Sequence, residues 1–245
     1  MHRRIDHTLL KAEAQPSQIT TLCHEATRFG FYAVCVNPCY ARLARKTLDE
    51  LDASDASDAS GTTSSGPSRS TPTCHVKVCC VVGFPLGAAT TETKAFESQQ
   101  CLEAGAEEID MVLNVGMLCA HEYDAVRRDI GAVVAVCADR RALCKVILET
   151  ALLTPAQVRR ASELAIEAGA DFIKTSTGFS TRGASEEDVK LMVSIAGPAG
   201  KQVKASGGIR SAADAAKMVA LGATRLGTSA SVDIVQGLPT TGGAY

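Results

Sequence analysis

Neither sign of charge dominates this chain: 25 Lys and Arg stand against 27 Asp and Glu in 245 residues. So even a balance gives no electrostatic footprint for nucleic acid and no basic face for anionic lipid, and neither is expected as a partner. Long apolar runs are also missing. No stretch reaches the roughly 18 residues of a membrane span, and the opening Met1-His2-Arg3-Arg4-Ile5-Asp6 lacks the apolar stretch of a signal peptide. A soluble, cytoplasmic protein with a small partner is the expectation. Zinc-ligand spacing is absent as well: Cys35 and Cys39 are separated by three residues, Cys79 and Cys80 adjoin, and no second cysteine or histidine pair completes a site. Ten cysteines in a chain this long are too dilute for a small disulfide scaffold, so reduced thiols without a metal are expected. Aromatic residues make up only 4%, which leaves monomer, dimer and larger assemblies open.

What the chain does contain, from Phe31 onward, is an alternation of short β-branched, apolar runs with longer segments of helical composition, the pattern of βα units and a parallel sheet. Strands are predicted over 31–36, 76–83, 107–113, 143–149, 171–175, 202–205 and 224–228, joined by a short eighth at 4–8. The runs are apolar on both parities, as strands buried on both faces must be. With a length near the roughly 250 residues typical of the fold, the prediction is α/β, a single (β/α)8 TIM barrel over residues 1–245. Thr154-Pro155, Ser185 and Ser211 read as helix starts. Gly105, Gly169 and Gly222 each fall where a helix should stop before a strand.

Residues 52–73 break the pattern. They contain no Val, Leu, Ile, Phe or Met and open with three copies of Asp-Ala-Ser, so they cannot bury enough apolar area to offset their ordering entropy. A flexible polar insertion is predicted there, and a flexible tail from about residue 236 to 245.

In a barrel, the residues at strand C-termini and in the loops that follow line the active site. Among them, Asp110, Lys145, Lys174 and Lys204 sit within otherwise apolar strands, where isolated charges are strongly disfavoured unless they pair. Lys174 and Lys204 fall on consecutive strands, within about 4.8 Å of one another across a strand spacing. Repulsion between two such ammonium groups, with desolvation, favours the free amine that carbonyl attack requires, and Asp110 can balance the remaining charge or relay a proton. Ser206-Gly207-Gly208 follows the seventh strand and Gly227-Thr228-Ser229 the eighth, the places where barrels hold a phosphate. Each glycine pair alone would equally well be a plain turn.

The runs IDHTLLK at 5–11, AVCVNP at 33–38, VVGFPLGAATTETK at 81–94, EIDMVLNVG at 108–116, KVILET at 145–150, DFIKTSTGFS at 171–180, VKASGGIR at 203–210 and RLGTS at 225–229 resemble the deoxyribose-phosphate aldolase family from Ile5 to Ser229. The resemblance implies a class I aldolase without a metal or other cofactor. It would cleave 2-deoxy-D-ribose 5-phosphate reversibly to acetaldehyde and D-glyceraldehyde 3-phosphate. It makes Lys174 the Schiff-base residue and Lys204 the cation that lowers its pKa, with Asp110 sharing proton transfer through a bound water. It places Asp6, Cys35, Lys145 and Thr175 around the substrate and gives Gly178, Ser206, Gly207, Gly208, Gly227, Thr228 and Ser229 to the phosphate. Cys35 equally suits a small core position, and Asp6 an ion pair at the first strand. A terminal tyrosine aiding proton transfer is implied for Tyr245, and the simplest assembly is a homodimer.

The sequence departs from the family pattern in its insertion, in Arg182 where glycine is common, and in Ala230 after Ser229. Arg182 would either contact phosphate or decorate the rim. Two other functions compete: a different lysine-dependent barrel enzyme that shares the imine but not the substrate, and a silent phosphate-binding scaffold.

Overall fold

The computed structural model describes residues 1–60 and 75–238. Along the chain run β1 (Ile5–Leu9), α1 (Pro16–Phe29), β2 (Ala33–Val36), α2 (Ala41–Ser60), β3 (Lys77–Val82), α3 (Thr91–Glu103), β4 (Glu108–Val112), α4 (Val115–Cys119) and α5 (Tyr123–Asp139). They are followed by β5 (Leu143–Ile147), α6 (Pro155–Glu167), β6 (Phe172–Lys174), α7 (Glu186–Ala196), β7 (Gln202–Ser206), α8 (Ala212–Ala220), β8 (Arg225–Thr228) and α9 (Ser231–Gln236). The strands form a closed barrel in sequence order, every pair parallel, with β1 returning to β8 through Asp6 opposite Gly227. The predicted barrel is therefore present, its strands shorter than the apolar runs by a residue or more at most ends. Among the described residues, no helix is long and apolar enough to cross a membrane.

Local chemistry explains the punctuation. The hydroxyls of Thr154, Ser185 and Ser211 accept from the backbone N–H three residues on, and Pro155 occupies the first turn of α6. Gly105, Gly169 and Gly222 adopt φ of 102°, 96° and 104°, and the next residue in each case donates back five positions, Ala106 to Cys101, Ala170 to Ala165 and Ala223 to Met218. One αL stop thus recurs before β4, β6 and β8, which is why the helices end in register with the strands.

One expectation is corrected. Helix α2 continues to Ser60, so the first nine positions of the polar run at 52–73 are helical. Alanine favours helix, and extending an existing helix avoids the costly nucleation step, so no apolar face is needed. The remaining positions of that run, from 61, lie outside the described residues, as does the tail beyond Leu238.

The outer layer is an apolar shell of strand and helix faces, including Val34, Val78, Ile109, Val146, Ile173 and Leu226. One buried charge is set into it. Lys94 of α3, fully buried, donates to the Val112 carbonyl at 3.0 Å and to Asp129 Oδ2 of α5 at 2.6 Å. Gly83 makes room for its stem: at φ 62° it has no Cβ, and one there would lie 2.9 Å from Lys94 Cε. The pair braces the end of β4, the strand that carries Asp110.

Asp129→Ala leaves that ammonium buried without its counter-ion and is expected to cost about 3–5 kcal/mol. The Lys94→Met, Asp129→Leu double variant should recover most of the loss. Urea unfolding measures both, and a single-variant loss below about 1 kcal/mol would contradict the bracing role.

Candidate active site

Alternation along a strand puts residues two apart on one face, and the inward faces stack as the layers expected inside such a barrel. The even-numbered strands contribute Ala33, Glu108, Phe172 and Arg225 below, and Cys35, Asp110, Lys174 and Gly227 above. The odd-numbered strands contribute Asp6, Cys79, Lys145 and Lys204 between them. Register agrees: Cys35 lies opposite Cys79, Asp110 opposite Lys145 and Lys174 opposite Lys204.

These charges close a ring of alternating sign. Arg225 Nη1 donates to Asp6 Oδ1 at 2.9 Å, and Asp6 Oδ2 accepts from Lys204 Nζ at 2.5 Å. Lys204 donates to Asp110 Oδ2 at 2.7 Å, Asp110 Oδ1 accepts from Lys145 at 2.8 Å, and Lys145 reaches Glu108 Oε2 at 2.5 Å. Glu108 returns to Arg225 at 3.0 Å. Arg225 is further seated over Tyr32, 3.5 Å from the ring centroid, and 5.3 Å from that of Phe172. Lys174 stands outside the ring. Its amine, 2% exposed as a residue, donates at 2.7 Å to the same Asp110 Oδ2 that serves Lys204. Three cations and three carboxylates balance within the ring, so Lys174 is the surplus charge.

The ring fixes protonation. Burial alone would raise the Asp110 carboxyl, but Lys145, Lys174 and Lys204 hold it well below the usual carboxylate range. Asp6 falls to about 2 against the same burial, through Lys204 and then Arg225. Burial would discharge Lys145 and Lys204, yet Asp110, with Glu108 or Asp6 behind it, pushes both well above the ordinary lysine value. Lys204, so held as a cation, is the register partner of Lys174 across β6 and β7. Lys145, far from being a snorkelling surface group, is fully buried at the centre of the cluster.

Cys35 is held below the ordinary thiol value by a hydrogen bond with Cys79, against burial, with help from Lys204 and Lys174. Cys79 in turn donates to Asp110 Oδ1 at 3.1 Å. Cys35, Cys79 and Asp110 offer ligand atoms within 4.8 Å of one another, a set a soft cation could use. The Lys145 ammonium already lies against two members of the set, 2.8 Å from Asp110 Oδ1 and 3.5 Å from Cys79 Sγ. Thr175 exchanges hydrogen bonds with the backbone of Ser206, carbonyl and N–H both at 3.1 Å, so its hydroxyl couples β6 to β7.

Above the ring, the loops after β6 and β7 touch. A Cβ on Gly183 would lie 2.1 Å from the Gly207 carbonyl oxygen, and Gly207 and Gly208 take φ of 80° and 75°. Gly208 faces open space, Gly178 has φ 91°, and Ser206 Oγ donates to the Ser176 carbonyl at 2.5 Å. Thr228 Oγ1 donates to the Ile209 carbonyl at 2.8 Å and accepts from Ala230 N at 3.0 Å, tying the loops after β7 and β8 together. Ser229 is exposed ahead of α9. Helix α9 is anchored from behind, where His7 bridges Ser231 Oγ at 3.0 Å and Glu25 at 2.7 Å.

Gly227, expected at the phosphate, sits in β8 within the ring layer, where a Cβ would meet Lys204 Cε at 3.1 Å, so its lack of a side chain also makes room for the lysine. Arg182 is engaged elsewhere than at a phosphate, donating at 2.5 Å to Asp188 and at 3.0 Å to the Thr150 carbonyl, so it straps the β6 loop to the β5 loop. Tyr245 lies outside the described residues.

Sequence reasoning missed Glu108, Arg225, Cys79 and Glu149. The first two stand two positions before Asp110 and Gly227, so strand periodicity was the available signal. Glu149 was hidden at the end of an apolar run. It is buried, in the left-handed region at φ 55°, and burial pushes its carboxyl up. One oxygen accepts from Thr177, while the other, with Thr150 Oγ1 and Ser176 Oγ, has no protein partner among the described residues.

The profile of the DeoC/LacD family aldolases matches residues 1–238. A deoxyribose-phosphate aldolase of Clostridium novyi (strain NT) is 48% identical over 245 residues, 100% of this chain and 99% of its own. One of Geobacillus sp. (strain WCH70) is 51% identical, over 96% of this chain and 94% of its own. The solved deoxyribose phosphate aldolase of Aeropyrum pernix, described as a unique tetramer, is 35% identical at a TM-score of 0.82, covering 96% of this chain and 89% of its own. With a barrel whose interior carries a lysine cluster and a family match across nearly its whole length, this chain belongs to the DeoC/LacD family of aldolases.

Proposed function

We propose that the protein is a class I deoxyribose-phosphate aldolase that needs no metal, the whole chain serving as one barrel unit, with Lys174 as the covalent nucleophile. The observation that carries this is the shared Asp110 oxygen, which leaves Lys174 as the surplus amine on a balanced ring. Release of its proton makes the whole cluster neutral. In the cleavage direction, its nitrogen attacks C1 of open-chain 2-deoxyribose 5-phosphate, the carbonyl oxygen leaves as water, and a protonated imine forms. Loss of the C3 hydroxyl proton breaks the C2–C3 bond, and the electron pair moves into the imine as an enamine. Glyceraldehyde 3-phosphate leaves, the enamine is protonated at C2, and water releases acetaldehyde.

Each remaining group has a part. Asp110, locked as a carboxylate, orients the amine and passes protons through Lys204 and a water rather than storing one. Asp6 and Lys145 hold the two ends of that carboxylate's environment, Cys35 walls the aldehyde end, and Thr175 keeps the strands bearing Lys174 and Lys204 in register. The phosphate docks on backbone N–H groups about Gly178, Gly207 and Gly208, beside Ser206, Thr228 and Ser229; two consecutive left-handed glycines supply the concave backbone that anions prefer. Arg182 fixes the rim of that cradle, and Tyr245 serves as an auxiliary proton carrier. Thiols at nine described cysteines support a cytoplasmic setting, and the tetrameric Aeropyrum relative supports self-association, here as a homodimer.

Borohydride reduction with acetaldehyde, followed by peptide mass spectrometry, should put a stable adduct on Lys174 and none in Lys174→Leu. Absence of adduct in the parent protein would sink the assignment. Lys204→Leu removes a ring cation, so Lys174 retains its proton more firmly; kcat should fall by roughly a hundredfold or more at neutral pH, with the optimum moved upward. Gly207→Val, which crowds Gly183, should raise KM for the phosphorylated substrate about tenfold or more while acetaldehyde trapping persists. An unchanged KM would remove the phosphate from this loop.

A further inference from the structure

Arg225 lies beneath the lysines, two layers below Lys174, and no step above requires it to touch a reactant. Its guanidinium cannot be discharged in a protein, and its two partners, Asp6 and Glu108, are the second partners of Lys204 and Lys145. We propose that Arg225 is a positioning residue that sets the proton count of the nucleophilic lysine, and that Arg225 and Glu108 tune the working pH of the enzyme in opposite directions.

With Arg225 present, Asp6, Glu108 and Asp110 are matched by Arg225, Lys145 and Lys204, and Lys174 is in excess. Without it, the same three carboxylates are matched by the three lysines, and Lys174 becomes a required cation. Without the charge of Glu108, two carboxylates face four cations, and the pressure on Lys174 to shed its proton grows. The mechanism needs the amine free before the first bond forms, so the acid limb of the rate profile should follow this count.

The groups facing Lys174 from neighbouring elements are few. Asp110 approaches from β4 and Lys204 from β7. Cys35 on β2 and Glu149 after β5 also act on it through charge. Of these, Cys35 is the other group that can release the surplus proton, as a thiolate. A test must therefore read the lysine itself.

The proposal rests on the Schiff-base reading, and the experiment separates the two. The pH dependence of kcat for cleavage is measured alongside the pH dependence of borohydride-trapped acetaldehyde on Lys174, for the parent, Arg225→Lys, Arg225→Met and Glu108→Gln. In Arg225→Met both acid limbs should move up by on the order of one pH unit, and in Glu108→Gln down by a similar amount, as expected for removal of one unit charge in a partly screened interior. Arg225→Lys should keep the parental profile, since it keeps the charge. Repeating the pair in a Cys35→Ala background should leave the opposite shifts in place. Shifts in the same direction, or lower rates at every pH without a shift, would overturn the proposal and leave Arg225 a structural residue. Should Arg225→Met fail to fold, Glu108→Gln decides alone, and an upward or absent shift there overturns it. No adduct on Lys174 of the parent at any pH refutes the Schiff base instead.

Discussion

Asp110 Oδ2 accepts from two ammonium groups at once, each at 2.7 Å, and the site depends on that shared atom. A buried carboxylate can serve two lysines only if other charges meet the demands it leaves unmet. Lys204 has Asp6 as a second partner, and Lys145 takes the other Asp110 oxygen while leaning on Glu108. Among the described residues, Lys174 forms an ion pair with no second carboxylate. The two neighbouring lysines are therefore unequal: Lys204 is held between two carboxylates, and Lys174 by the shared oxygen of one.

The closed form of the ring answers the energetic problem of placing charge where barrels usually pack branched aliphatics. A single buried ion pair often fails to recover its desolvation cost, because lone pairs and protons on each partner stay unmet. In a ring every member has two opposite neighbours, and the aromatic faces of Tyr32 and Phe172 absorb what remains of Arg225. Ring closure also requires that Arg225 and Glu108 share one layer, that Asp6, Lys145 and Lys204 share the next, and that Asp110 cap them. Only a barrel with alternating odd and even layers presents charges at three heights around one axis. Apolar burial, meanwhile, is left to the outward strand faces and the helices that cover them, with Val34, Val78, Ile109 and Val146 in that shell.

The fold was largely legible because strand burial, caps and αL stops are local properties that leave residues behind: Thr154-Pro155 and Gly105, Gly169 and Gly222 all act as their types imply. The charged layer was half legible. Asp110, Lys145, Lys174 and Lys204 stand out against apolar neighbours, whereas Glu108 follows Glu107 and Arg225 follows Thr224, and each reads as the polar edge of a strand. Their inward direction is a matter of pleat phase, fixed only once the tilt of all eight strands is known. Gly227 carries a second demand that the sequence hides for a similar reason: the need to accommodate Lys204 from the neighbouring strand leaves no mark in one dimension. The Asp-Ala-Ser run misled because a composition unable to form a core is still able to prolong a helix.

Saturation below and vacancy of bonding above divide the barrel mouth by function. Inside the ring, each carboxylate oxygen of Asp6, Glu108 and Asp110 meets a cation within 3.4 Å, so this layer has little polar capacity to offer a substrate. In the loops that follow β5 and β6, Glu149, Thr150 and Ser176 each retain a buried oxygen without a protein partner among the described residues. Such atoms cost free energy for as long as they stay buried and unpaired. Glu149 is the extreme case, holding an unfavourable backbone angle and a hydrogen bond to Thr177 on the next strand's loop. Charge pairing is thus complete within the ring, while the loops after β5 and β6 hold three buried oxygens that the described residues leave unpaired.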